Sequence, residues 1–189
     1  MPMLKVPYHK QQTEISCLPA CIKMVLNYYG DDVEELDLLE KGKIGNHPGT
    51  WDAKLAPHII KKGYYFESWW KDVKDPKLPK KILEEYRKSM AKAKKLGFKY
   101  QGEGSIEKIK KLIDKGIPVI VEVEAAKFYG KKSYEFTHVV VVNGYDGKGF
   151  FYLDPWKTKK GKMTFAKLLR CWKFKSGLDN SMTAIYPKK

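Results

Sequence analysis

The stretch QQTEISCLPACIKMVLNYYG, residues 11–30, places a thiol where it could act as a nucleophile. Cys17 stands at the first position of what reads as an almost wholly apolar helix, with Gln11 and Gln12 just upstream. A thiol at a helix start meets the positive end of the helix dipole. Beside an imidazolium, such placement lowers a thiol pKa from about 8.5 to roughly 3.5–7.5. That nucleophile needs a base, and THVVVVNGYDGKGFFYLDP, residues 137–155, offers one. It reads as a hairpin around the glycine-rich GYDGKG. With the turn centred on Asp146, Val142 faces Phe150, Val140 faces Tyr152 and His138 faces Asp154, all on one side of the sheet. Directly opposed residues have Cβ atoms about 4.5–5.5 Å apart, so the Asp154 carboxylate would reach the His138 ring. His138 would shuttle the proton, and Asp154 would fix the ring tautomer and stabilise the imidazolium.

Attack on a carbonyl makes an oxyanion, which needs donors. The Cys17 backbone N–H, unpaired at a helix start, is one. Gln11, separated from Cys17 by five residues, can loop back with its side-chain amide as the other. In an extended approach Gln12 points to the opposite side.

These residues need elements to position them. Ser16 is a good N-cap for a helix from Cys17 to Tyr29, ended by Gly30. Pro19 falls in its first turn, where a missing N–H costs little. Only Lys23 and Asn27 break its apolar surface, so it is expected to be the buried central helix. DDVEELDLLEKG and GTWDAKLAPHIIKKG read as short surface helices closing on Gly42 and Gly63, with Pro57 expected to limit or kink the second. Pro79 opens a basic helix that stops near Gly97, and SIEKIKKLIDKG is amphipathic. The second half turns to strands: IPVIVEVE, the hairpin and SMTAIYP are β-branched and aromatic-rich. Helices first and an antiparallel sheet later give an α+β class, with the cysteine-bearing helix packed on the sheet. The 189 residues fit a single domain, 1–189, with a Lys-rich helical excursion at about 64–104.

The formal net charge is +15, yet only Arg87 and Arg170 are arginines, so the excess is carried by lysine. Residues 71–111 alone hold fourteen Lys and Arg against six Asp and Glu. Nucleic-acid readers favour arginine for bidentate base contacts, whereas a surface rich in lysine with glutamate fits a thermophile-like composition. A positive field would still attract acidic partners, and nucleic acid is a possible but not favoured one. No run of eighteen apolar residues predicts a membrane span, no signal peptide is read, and there is no Walker A pattern. The three cysteines, Cys17, Cys21 and Cys171, lack metal-ligand spacing, so neither metal nor cofactor is expected. They point to reduced thiols and a cytoplasmic setting, with Cys21 and Cys171 as core residues. His47 in GNHPGTW is a cleft candidate outweighed by an ordinary surface histidine. His9 and His58 carry no assigned role. Trp69 and Trp70 fit either the core or a peptide-binding wall.

Four stretches together carry a family resemblance: VPYHKQ(x5)CLPACIKMVLNYYG, GIPVIVEV, THVVVVNGYD…FFYLDP and MTFAKLLRCW. They resemble the C39-like cysteine peptidases of the papain-like superfamily, most strongly at the two ends of the chain and weakly between about residues 64 and 104. The resemblance implies a papain-like fold and a Gln, Cys, His, Asp order carried by Gln11, Cys17, His138 and Asp154. Papain itself uses Asn in place of the aspartate. The family's usual CGPA is CLPA here, which sets the Leu18 side chain beside the nucleophile. Family members often cut a leader after a Gly-Gly pair and are fused to ABC exporters. No span or ATPase motif is legible here, so leader cleavage is not carried over.

The resulting expectation is a thiol hydrolase acting on a peptide or protein substrate. Two rivals use the same residues differently. An acyl transferase or deamidase would let an amine outcompete water for the acyl-enzyme. A catalytically retired fold binding nucleic acid or an acidic protein would show an unreactive Cys17 and steeply salt-dependent binding.

Overall fold

The computed structural model describes residues 2–46, 49–70, 79–173 and 180–188. Helix α1 (Cys17–Tyr28) is the central helix, with Pro19, Ala20, Cys21, Ile22, Met24, Val25 and Leu26 all buried. Its end is a Schellman motif: Gly30 N–H bonds Asn27 O, Asp31 N–H bonds Leu26 O, and Gly30 takes φ +85°, which a side chain would resist. Its polar stripe is satisfied, Lys23 Nζ donating to Asp32 Oδ1 at 2.6 Å and to Val33 O at 2.6 Å. The helix start departs from expectation. Ser16 is the N-cap by position but makes no side-chain cap bond. Its hydroxyl is instead turned back onto Thr13.

Helices α2 (Glu35–Gly42) and α3 (Asp52–Lys61) follow. Pro57 does not stop α3, which runs on to Lys61. Burial of Leu55, Ala56, Pro57, Ile59 and Ile60 outweighs the lost hydrogen bond, because tertiary packing of an apolar face supplies most helix stability. Two elements absent from the sequence reading, β1 (Tyr64–Trp69) and β2 (Lys99–Tyr100), flank α4 (Lys80–Lys95). After α5 (Ile106–Asp114) come β3 (Val119–Glu124), α6 (Ala125–Tyr129), β4 (Thr137–Tyr145), β5 (Gly149–Asp154), β6 (Lys159–Thr164), α7 (Phe165–Cys171) and β7 (Met182–Pro187).

The seven strands form one sheet in the order β2-β1-β7-β3-β4-β5-β6. It is antiparallel except at one edge, where β1 and β2 pair parallel. Strand alternation splits the core in two. Helix α1 packs with Phe66, Ile120, Val141, Leu153 and Ile185 on one face. On the other face α5 and α7 cover Val119, Val121, Val140, Val142, Phe150 and Met182. Trp69 and Trp70 are both buried, one in each half of the core. The fold is α+β with helices on both faces of a mixed sheet, consistent with a papain-like arrangement.

The β4–β5 hairpin differs from the expected register. Asp146 closes the turn, its N–H bonding Gly149 O and its Oδ1 accepting from Lys148 and Gly149 N–H. The turn therefore spans residues 146–149 and sets Tyr145 opposite Phe150. A β-bulge between Val142 and Gly144 then shifts the pairing, so that Val142 faces Tyr152 and Val141 faces Leu153. Continuing that step, Asp154 lies level with Val140. His138 is its diagonal neighbour on the same side of the sheet, not its direct partner.

Candidate active site

Cys17 is half-buried at the start of α1. Because the Ser16 hydroxyl faces Thr13, the first turn of α1 is left open. Ala20 N–H bonds Ser16 O at 2.9 Å and Pro19 has no N–H. The N–H groups of Cys17 and Leu18 have no partner among the described residues. Two unpaired donors at a helix start form an anion-receptive spot beside the thiol.

Helix α1 packs against the Val139 and Val141 side of β4, while His138 belongs to the opposite pleat. The imidazole and the thiol come together at the end of the sheet, where α1 begins, close enough for the Cys17 side chain to favour the charged form of His138. The ring's other contact is Asp154, Nε2 to Oδ1 at 2.9 Å, with His138 only 2% exposed and Asp154 fully buried. Burial pushes the imidazolium toward neutrality, but the hydrogen bond to Asp154 and the nearby Cys17 side chain prevail and raise His138 to about 9.

Burial works to raise the Asp154 pKa as well, yet the carboxyl is held well below the usual carboxylate range by its donors. Oδ1 takes His138 and the Trp156 N–H at 2.9 Å. Oδ2 takes the Tyr129 hydroxyl at 2.8 Å and the Thr158 N–H at 3.1 Å. Burial and the Asp154 charge keep Tyr129 in its neutral, donating form. Sequence reasoning did not find Tyr129 or Trp156. Trp156 was readable only as the second residue after Asp154. Tyr129 sits on α6, a five-residue helix too short to leave a periodic signal. Both rings lie within 6 Å of the imidazole, at centroid distances of 5.8 and 5.9 Å.

Gln11 and Gln12 separate as alternation requires: Gln11 is buried, Gln12 exposed. Gln11 Nε2 donates to Thr13 O at 2.7 Å, the same carbonyl that receives the Ser16 hydroxyl. An amide nitrogen carries two hydrogens, so one remains after this bond fixes the side chain. The Gln11 backbone N–H bonds Pro155 O at 2.9 Å, which ties this segment to the residue after Asp154.

All three cysteines are free. Burial raises Cys21 and Cys171, which suits core thiols. His47 lies outside the described residues. Among the described residues no group of three or more His, Cys, Asp or Glu is arranged to hold a metal, and no helix is long and apolar enough to cross a membrane.

Comparison with known proteins gives these side chains a family. The sequence profile of the Peptidase_C39 like family matches residues 3–178. No curated protein sequence matches significantly. Among solved structures, a double glycine motif protease from an AMS/PCAT transporter, in complex with its leader peptide, superposes with a TM-score of 0.60 at 17% identity, covering 98% of this chain and 94% of that one. A C39-like peptidase from Bacillus anthracis gives 0.61 at 16% identity, covering 98% and 96%. The peptidase domain of Streptococcus ComA, a bi-functional ABC transporter, gives 0.58 at 18%, covering 95% and 97%. At these identities the structures establish the fold, and the profile match over nearly the whole length establishes kinship. The chain belongs to the Peptidase_C39 like family and is a cysteine peptidase-like hydrolase.

Proposed function

We propose that the protein cleaves a peptide or amide bond through Cys17, His138 and Asp154, with Gln11 and the Cys17 N–H as oxyanion donors. Cys17 Sγ attacks the carbonyl carbon, and the negative charge moves to the carbonyl oxygen. The Cys17 N–H and the remaining Gln11 N–H stabilise that oxygen. His138 gives its proton to the leaving nitrogen as the C–N bond breaks, leaving a thioester. It then takes a proton from water, whose oxygen attacks the thioester; the C–S bond breaks, releasing the acid and restoring the Cys17 thiolate beside the His138 imidazolium. Asp154 holds the ring throughout.

The observation that carries this reading is the buried His138–Asp154 hydrogen bond with Cys17 beside the imidazole at the open first turn of α1. A peptide substrate is supported by the leader peptide bound to the similar double glycine motif protease. The lysine excess favours an acidic one. Free thiols at all three cysteines fit a reducing, cytoplasmic setting.

The test is incubation with a proteome-derived peptide pool, with new termini read by mass spectrometry. New carboxyl termini that disappear in Cys17→Ala are expected. Amide products dominating when an amine is added would reassign the enzyme to acyl transfer. No acyl adduct on Cys17 under any condition would overturn the proposal.

A further inference from the structure

We infer that Glu35, together with His9, is a positioning residue that holds the Gln11 segment in register with Cys17. The inference rests on the oxyanion role proposed for Gln11 and names a part of that site outside the reacting groups.

Glu35 is the first residue of α2, and its side chain has no solvent exposure. A buried carboxylate is costly unless every oxygen is used. Here each oxygen has a partner on one short segment. Oε2 pairs with His9 Nε2 at 2.6 Å, and Oε1 accepts the Gln12 backbone N–H at 2.8 Å. Residues 9–12 belong to no strand, so their backbone groups need partners from elsewhere. Glu35 grips the segment on both sides of Gln11, and the Gln11 N–H is held to Pro155 O. These three anchors leave the Gln11 backbone little freedom. The Thr13 carbonyl then fixes its amide at 2.7 Å. An apolar side chain would fill the same space. A two-oxygen acceptor is what allows one residue to hold both His9 and Gln12.

The geometry makes a selective claim. Loss of Glu35 should loosen the oxyanion donor without disturbing the thiol or the imidazole. Two probes separate these effects. Acylation of Cys17 by a p-nitrophenyl ester passes through a tetrahedral oxyanion, whereas alkylation by iodoacetamide forms none.

In Glu35→Ala, acylation should fall by about tenfold to a hundredfold, the size of effect expected from misplacing a group by about 1 Å. Alkylation should stay within about twofold. Glu35→Gln keeps an acceptor for the Gln12 N–H and a donor for a neutral His9, so it should restore most of the acylation rate. The double variant Gln11→Ala/Glu35→Ala should be no slower than Gln11→Ala alone, because both changes remove one donor. His9→Ala, on a half-buried side chain, provides the same comparison if Glu35→Ala does not fold, and should lower acylation selectively.

Unchanged acylation in these variants, equal losses with both probes, or fully additive effects of Gln11→Ala and Glu35→Ala would overturn the inference. A wild-type protein that the ester does not acylate would instead sink the hydrolase reading itself.

Discussion

At the residue scale, the proposed chemistry depends on keeping His138 charged and Asp154 ionised inside the protein. His138 is raised from its ordinary 6.5 to about 9. Its charged form therefore contributes stability that is complete below pH 6.5 and is lost as pH rises through about 9. Asp154 is lowered from its ordinary 3.8, so its contribution is present above that value and is lost as pH falls through its depressed one. A His138 ring signal followed by NMR should titrate near pH 9. In Cys17→Ala the midpoint should drop, because one of the two neighbours that favour the charged form is gone. A midpoint near 6.5 in the unaltered protein, or one indifferent to Cys17→Ala, would show that the imidazole does not engage the thiol. The types and order of these residues were legible in the sequence. The full donor set of Asp154 was not, since Tyr129 reaches it from an element that hydrophobic periodicity does not reveal.

At the element scale, one bulge decides whether the site exists. The turn at residues 146–149 sets a register that, run straight on, would place Asp154 on the side of the sheet opposite His138. The extra residue, Asn143, restores a shared side. The sequence argument placed both residues on one face with the turn one and a half residues too early and no bulge; the two differences together amount to an even shift. Parity survived, and direct opposition became a diagonal. Nothing in VVVVNGYD announces a bulge, because its cause is distant in the chain. Leu4 N–H bonds Asn143 O at 2.7 Å, Asn143 Nδ2 bonds Leu4 O at 3.0 Å, and Met3 bridges Gly144. A Cβ on Gly144 would meet Pro2 O at 2.8 Å and the Met3 Cα at 3.1 Å. Gly144→Val should therefore dislodge the N-terminal segment, lower the melting temperature by several degrees and reduce acylation of Cys17 by tenfold or more. A variant with the wild-type acylation rate would show that this segment does not hold the hairpin register.

At the scale of the whole molecule, the α+β class was readable because the helical and β-branched stretches are long and separate. Strand β1 was missed because YYFESW is buried at five of its six positions and shows no alternation to reveal it. Pairing with β7 on one side and β2 on the other makes it interior to the sheet. The lysine excess is also better understood in three dimensions. Lys54 pairs with Glu85, Lys62 with Asp31, Lys99 with Glu67 and Lys162 with Asp146. Others lie over aromatic rings, such as Lys110 over Phe165 and Lys157 over Trp156. Exposed pairs of this kind are each worth little, about 0–1 kcal/mol. They show that these lysines are locally engaged. The edge strand β6 carries Lys159, Lys160 and Lys162, a placement that discourages edge-to-edge pairing with another chain.

The central claim is that Cys17 is a nucleophile poised by His138, and competitive alkylation tests it most directly. Iodoacetamide labelling across pH 5–9, with each cysteine followed separately by peptide mapping, compares three thiols in one molecule. Cys17 should be modified rapidly well below pH 8, and His138→Ala should slow that reaction at least tenfold at the acid end, where the imidazolium matters most. Cys21 and Cys171, buried and raised, should remain slow until the protein is denatured. Equal labelling of all three cysteines only after denaturation, or a Cys17 rate indifferent to His138→Ala, would contradict the account.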